Sequence, residues 1–557
     1  MCKRRYTYIL IALIALVFSS CGISKSLHDI PDISHYKTTI EKRNKISDTV
    51  FNIGANFISK NEEGLWELYV SGNPLEIGLK TGSLTQELFH KQEDAFLSKV
   101  KKIVPSKFKQ FLLRKFLAWF NRKMYLHISE EYKTEIYGLS KYASPKYNSI
   151  ANEYLRILYL HGAHDIGHAL KDLALVGCSS FAVWGDKTVD GKLVLGRNFD
   201  FYAGDDFAKE KIIAFVNPTN GHKFMSVTWA GMIGVMSGMN EHGLTVTINA
   251  GKSKMPLVAK TPISIVTREI LQYASTIDEA IEIAKKREVF VSESILVGSA
   301  KDNKAVTIEV SPSNFGVYDV ENTSQLICSN HFQSEAYKND KKNTKHIEES
   351  HSKYRYLKMQ ELIGATKKVT PKDAVDILRN KEGLKGKEIG FGNEKALNQL
   401  LAHHGIVFKP SERLVWVSTN PYQLGKFVAY DLNEIFNNEN KKANYSLSKK
   451  ELLIKEDDFL YSQAYKNYEI YRKQEKEIEL LLKNKQNINS TLLKSYIENN
   501  ESFWKVYYLV GKYYYSKKYY RASLTMFLKA KEKEVTTYQD KKSIESYIRK
   551  LKRKLKK

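Results

Sequence analysis

The spacing of apolar residues changes character twice along this chain. From 52 to 177 it is mainly helical, with apolar side chains returning every three or four positions across 107–125 and 132–142. Beyond that point short strand-like runs alternate with turns. Segments 179–184 and 192–201 flank a turn at 185–191. Segments 211–216 and 222–229 flank Asn217-Pro218-Thr219-Asn220-Gly221, and 235–239 and 244–250 flank Asn240-Glu241-His242-Gly243. Two helices are predicted next, over 262–273 and 276–287; Ser275 or Thr276 caps the second, with Asp278 and Glu279 in its first turn. Strands resume at 294–298, 305–310, 316–320 and 325–329. Strands, then helices, then strands predict an α+β layered domain.

From about Asn438 the chain turns Lys-, Glu- and Tyr-rich and helical. Tyr507, Val510, Gly511, Tyr514, Tyr520, Phe527 and Ala530 approximate the spacing of one tetratricopeptide-type (TPR-like) helix pair over 502–534. One such repeat cannot bury its own face. A hairpin docked on the body or on a protein partner is therefore expected, and a plain amphipathic pair fits the spacing equally well.

The N-terminus reads as an address. Lys3-Arg4-Arg5 precede an apolar run at 8–18, and Ser19-Ser20-Cys21 form a small-residue cleavage site. This is the form of a lipoprotein signal peptide over 1–20, with Cys21 lipidated and 21–51 as a polar tether. The apolar run is shorter than the ~20 residues of a spanning helix. Gly22 after Cys21 favours the outer membrane of a Gram-negative cell envelope. Removal of Cys2 and lipidation of Cys21 leave Cys178 and Cys328 as thiols, which excludes a disulfide framework.

Length 557 and 43% hydrophobic residues support one large domain with appendages. The net charge of +25 is spread over the chain without a nucleic-acid motif, so no nucleic-acid partner is expected. Attraction to anionic headgroups, or simple solvation, accounts for it. There is no P-loop or dinucleotide fingerprint, so no cofactor is expected. His161, His164 and His168 lack the carboxylate partner of a zinc motif, so no metal is expected either, and a core-polar role is read for them.

Candidate chemistry centres on Cys178, in Val176-Gly177-Cys178-Ser179-Ser180. A hairpin across the 185–191 turn folds Gly196-Arg197-Asn198-Phe199-Asp200 back beside it. A cation and a carboxylate next to a thiol can activate and orient it; a buried core cysteine is the competing reading. Gly-Cys followed by a hairpin bearing Gly-Arg-Asn-x-Asp resembles the N-terminal-nucleophile (Ntn) amidases. The nearest likeness, over 153–432, is to the acyl-coenzyme A:6-aminopenicillanic acid acyltransferase group, with choloylglycine hydrolases and acid ceramidases more distant.

That resemblance implies a four-layer αββα sandwich. Residues 52–177 become a helical pro-region or α chain, 178–437 the catalytic domain, and 438–557 a helical basic appendage. It implies self-cleavage between Gly177 and Cys178, after which the new α-amine, with a pKa near ~8 in peptides, serves as base. Glycine tolerates the strained backbone such scission requires. By the same resemblance Asp200 holds the α-amine and Arg197 biases the thiol towards thiolate. Asn249, in Thr247-Ile248-Asn249, is an oxyanion donor. Asn330 follows from Ile327-Cys328-Ser329-Asn330-His331-Phe332, and Arg355 from Ser352-Lys353-Tyr354-Arg355. Asn240 is read as a turn residue, Cys328 as a buried strand thiol, and the lysine-rich stretch 338–345 as a loop without counterpart.

The expected function is a lipid-anchored, self-processing cysteine amidase acting on a small N-acyl amide through an acyl-cysteine, its two chains remaining associated. Transfer of an acyl group from a thioester donor to an amine is the alternative within the fold. A scaffold with an inert Ntn domain and a partner-binding tail is the alternative outside it.

Overall fold

The computed structural model describes residues 23–162, 165, 177–201, 204, 206–253, 258–437 and 446–556. The signal segment, Cys21, His164 and His168 lie outside the described residues. Helix and sheet are mixed, as expected, and two sheets form the body.

The larger sheet has eleven strands in chain order apart from one insertion. It runs β1 (Asn44–Ser47), β2 (Val50–Ile53), β3 (Asn56–Lys60), β4 (Trp66–Gly72), β7 (Ile212–Pro218), β8 (Phe224–Thr228), β9 (Ser237–Asn240), β10 (Leu244–Ala250), β11 (Glu293–Ser299), β12 (Lys304–Ser311) and β13 (Asn314–Tyr318). The smaller sheet is ordered β14 (Gln325–Cys328), β5 (Ser179–Val183), β6 (Val194–Phe199), β15 (His404–Lys409), β16 (Leu414–Ser418), β17 (Phe427–Asp431) and β18 (Ser448–Ile454). Neighbours pair antiparallel except β4 and β7, which run parallel with Trp66 opposite Ile212.

Alternation of side chains divides the apolar residues into separate clusters. Phe215, Val227, Met239 and Leu296 from the larger sheet meet Ala182, Leu195, Ile406 and Val417 from the smaller one. The opposite face of the larger sheet, including Leu68, Val70, Ala214 and Val246, packs with helices Pro74–Leu84, Glu130–Ser140, Glu153–His161 and Ile263–Tyr273. The opposite face of the smaller sheet, with Phe181, Val194, Val407 and Trp416, packs with helices Ser352–Ala365 and Pro371–Leu378.

Three sequence expectations need correction. The region 52–177 is not helical from its start, because β2, β3 and β4 occupy it up to Gly72. Gly54 (φ 55°) and Gly64 (φ 84°) turn their two hairpins. β4 is buried on both faces, so Trp66–Gly72 carries no two-residue alternation to read. The described part of the tail is likewise not helical throughout: β18 pairs with β17 and completes the smaller sheet before the first tail α-helix at Gln463–Lys483. The lysine-rich loop is partly the helix Lys341–Glu349, capped by Asp340, whose side chain accepts from the backbone of Lys342 and Asn343.

The tail is helical from Gln463 onward. Helices Trp504–Ser516 and Tyr520–Glu532 share one apolar cluster with Gln463–Lys483, Ser490–Glu498 and Tyr538–Leu555. Leu400 and Leu424 of the body belong to that cluster too. Among the described residues no helix is long and apolar enough to cross a membrane.

Candidate active site

The β5–β6 hairpin forms where the sequence predicts it. Ser179 stands opposite Asn198 and Ser180 opposite Arg197. At its open end the Gly177 N–H donates to the Asp200 carbonyl at 3.2 Å, closing the ladder around Cys178. Cys178 is 1% exposed. The Arg197 Nη2 lies 3.7 Å from its Sγ. Burial outweighs that cation: the Cys178 thiol is pushed up to about 11, against the attraction of Arg197. The expected bias towards thiolate is therefore not present in the uncleaved chain. The thiol is held protonated.

Arg197 is fully buried and anchored on several sides. Nη1 donates to the Met236 carbonyl at 3.2 Å and to Ser237 Oγ, and Nη2 donates to the Ile248 carbonyl. Its guanidinium lies 4.3 Å from the Phe199 ring centroid. Asp200 is equally buried. Its Oδ2 accepts from Gln399 Nε2 at 3.1 Å, while its Oδ1 has no hydrogen-bond partner among the described residues. Burial raises the carboxyl to about 8 despite Arg355 and Arg197, so it is mostly neutral at pH 7.

The remaining candidates assemble around the same hairpin. Arg355, on helix Ser352–Ala365, donates through Nη1 to the Cys178 carbonyl and, at 2.8 Å, to Ser179 Oγ. Its Nη2 donates to Asn330 Oδ1 at 2.6 Å. Asn330 in turn donates to the Ala250 carbonyl at 2.9 Å. Asn249, near the end of β10, accepts from Ser180 Oγ at 2.8 Å and donates to the carbonyls of Cys328 (3.0 Å) and Ser329 (3.2 Å). In this state its amide is bound to backbone and not free for an oxyanion. Asn240 is a turn residue as read: its Oδ1 accepts from the His242 and Leu244 N–H groups. Cys328 is buried on β14, and burial pushes its thiol well up. His161 is a core-polar group, bonded to the Ile157 carbonyl and the Ile233 N–H.

Three features escaped the sequence reading. Gln399 donates to the Gly177 carbonyl as well as to Asp200. Ser237 Oγ, which accepts from Arg197, lies 2.9 Å from His404 Nε2, and His404 Nδ1 lies 2.9 Å from His403 Nδ1. Glu293 on β11 is fully buried, with its carboxyl raised by burial and by the charge of Asp165. The adjacent histidines were visible in the chain, but their partner stands 167 positions away. Elsewhere, at the β7–β8 and β9–β10 turns, His222, Glu241 and His242 bring their ligand-type atoms within 4.8 Å of one another.

Parts of the chain are similar to known proteins. Residues 187–420 match the family model described as acyl-coenzyme A:6-aminopenicillanic acid acyl-transferase. The matched span holds Arg197, Asp200, Asn249, Asn330 and Arg355 and starts after Cys178, so the resemblance read from the motifs holds there. An uncharacterized protein of Archaeoglobus fulgidus is 23% identical over 295 residues, covering 49% of this chain and 48% of that protein. The N-acylethanolamine-hydrolyzing acid amidase of Caenorhabditis elegans is 25% identical over 206 residues, covering 35% of this chain and 55% of that protein. The chain thus spans about half the length of these curated relatives. Among solved structures, the C. elegans amidase ortholog shares 20% identity with a TM-score of 0.32, over 42% of this chain and 93% of its own. The C2A mutant of conjugated bile acid hydrolase from Clostridium perfringens shares 14% identity with a TM-score of 0.32, over 49% of this chain and 95% of its own.

Proposed function

We propose, proceeding from the match of residues 187–420 to the acyl-coenzyme A:6-aminopenicillanic acid acyl-transferase family, that this protein is a self-processing cysteine enzyme acting on carbon–nitrogen amide bonds. The observation that carries this reading is the convergence on Gly177–Cys178. Arg197 approaches the thiol, Arg355 bonds the Cys178 carbonyl, and Asp200 stands beside Gly177 with a free, buried carboxyl oxygen. Scission would create an α-amine next to that carboxyl. Asp200 would then orient that amine, which in its neutral form would take the proton of the Cys178 thiol as base. The three apolar clusters, one between the sheets and one on each outer face, support the four-layer αββα reading.

The substrate class we assign is a small N-acyl amide, cleaved through an acyl-cysteine that water resolves. The activity for which the C. elegans relative is named supports it. Transfer of the acyl group to an amine is the second reading, favoured by the family's own description. The ratio of hydrolysed to transferred product, with and without an added amine, separates the two. The signal at 1–20 and Cys21 support a lipid-anchored protein of the cell envelope. The five clustered tail helices support a TPR-like appendage able to take a protein partner.

Intact mass of the purified protein and of Cys178→Ala tests the central claim. Two associated fragments split between Gly177 and Cys178 are expected in the first, and one chain in the second. An uncleaved chain in both would sink self-processing.

A further inference from the structure

A side chain that donates to the Gly177 carbonyl comes from a part of the chain that carries no motif. Gln399 lies between helix Pro371–Leu378 and β15, and its side chain is 2% exposed. The segment around it is tied to the nucleophile hairpin. Asn198 Nδ2, on β6, donates to the carbonyls of Leu378 (2.8 Å) and Leu397 (3.0 Å), and the His403 N–H donates to the Phe199 carbonyl at 2.8 Å. Asn398 Oδ1 accepts from the Leu400 N–H at 3.1 Å and shapes the turn locally. So fixed, Gln399 Nε2 donates to the Gly177 carbonyl oxygen at 2.8 Å and to Asp200 Oδ2 at 3.1 Å.

We propose that Gln399 is the oxyanion donor for scission of the Gly177–Cys178 bond, the side-chain amide that stabilises charge on the Gly177 oxygen as Cys178 attacks. This rests on the self-processing reading above. In the step, a bond forms between Cys178 Sγ and the Gly177 carbonyl carbon, and the carbonyl oxygen takes up the negative charge. The carbon–nitrogen bond then breaks, and the thiol proton ends on the nitrogen that becomes the Cys178 α-amine. Water cleaves the resulting thioester, leaving the Gly177 carboxylate and restoring the thiol. The net reaction is hydrolysis of one peptide bond.

Two observations favour Gln399 over the other donors present. Asn249 and Asn330 direct their amides at the carbonyls of Cys328, Ser329 and Ala250, and Arg355 bonds the Cys178 carbonyl, not that of Gly177. The second is steric. A Cβ on Gly177 would lie 2.5 Å from Gln399 Nε2, so a larger residue there would push this amide out of its present position. Glycine at 177 leaves room for this donor.

Removing one preorganised donor of this kind costs about 10²–10³ in rate. The test follows processing of the full chain by intact mass after a pulse of cell-free synthesis. Wild type is compared with Gln399→Ala and Gln399→Glu, and melting temperatures are taken in a Cys178→Ala background. Both variants are expected to process about 10²–10³ times more slowly with little change in melting temperature. A glutamate donates only when protonated, so Q399E should recover speed as pH falls while Q399A does not; a purely structural role would not give that split. If wild type is cleaved and both variants match its rate, the assignment of Gln399 is overturned and self-processing stands. If Q399E slows without any recovery at low pH, the donor role is likewise overturned. If wild type is never cleaved, both readings fall together.

Discussion

Cys178 is a buried, protonated thiol, and the proposed scission would place one more amine among its neighbours. The same holds for Asp200, whose carboxyl burial raises to about 8 from an ordinary value near 3.8. A group with a raised pKa in the folded protein contributes stability below its ordinary pKa, and that contribution is lost as pH rises through the folded value. Asp200 therefore makes the uncleaved chain progressively less stable between about pH 4 and pH 8. In a Cys178→Ala background, Asp200→Asn should shrink the fall in melting temperature between pH 5 and pH 8; an unchanged difference would show that Asp200 is ionised in the precursor. His161 and His331, both lowered to about 4 by burial, act with the opposite sign as pH falls, and the variant comparison cancels them. Cys178, Arg197 and Asp200 were legible because one hairpin joins them within a short stretch. Gln399 was not, since 222 positions separate it from Gly177.

Local chemistry decided some elements outright. The helix Ile277–Lys286 carries its own signal: Thr276 accepts from the Glu279 N–H, and the Glu279 carboxylate returns to the Thr276 N–H. Thr276→Ala should cost about 1 kcal/mol in urea unfolding; no change would mean that packing alone holds this end. Other elements depend on contacts that no local pattern reveals. Glu135, on helix Glu130–Ser140, forms a two-pronged pair with Arg268 on helix Ile263–Tyr273, at 3.2 and 3.0 Å, with both residues buried. Removing one partner of such a pair leaves a buried charge. Glu135→Leu should destabilise by about 3–5 kcal/mol, read by the same unfolding measurement. The strands β1 to β4 were hidden for a related reason: β4 is covered on both faces and takes its register from β7, roughly 145 residues on, as Trp66 opposite Ile212 shows.

At the scale of the whole molecule the helical tail is part of the body's packing. Leu400, one residue beyond Gln399, is buried in the tail cluster, and the Tyr468 hydroxyl donates to its carbonyl at 3.5 Å. Gly390 (φ 79°) admits Phe503 against its backbone, where a Cβ would meet Phe503 atoms at 2.4–2.5 Å. Lys387 and Lys395 reach Glu534 from the body side at 2.8 and 2.5 Å. Phe503→Ala should lower stability by about 3–5 kcal/mol in denaturant unfolding. Because the tail backs the segment that carries Gln399, the same variant should also slow processing; processing at wild-type rate would show that the two regions are uncoupled.

The chain by itself determined what neighbouring residues can settle. These were the β5–β6 hairpin that joins Cys178, Arg197 and Asp200, the turn at Asn240, the capped helix after Thr276, and the order of strands and helices that gives the fold class. Each rests on periodicity, turn chemistry or capping, which act over a few residues. Only the tertiary structure decided the protonation of Cys178 and Asp200, the backbone engagement of Asn249, the entry of β1–β4 and β18 into the sheets, and the placing of Gln399 on the Gly177 carbonyl. Burial and long-range packing set all of these, and both depend on which distant segments the fold brings together.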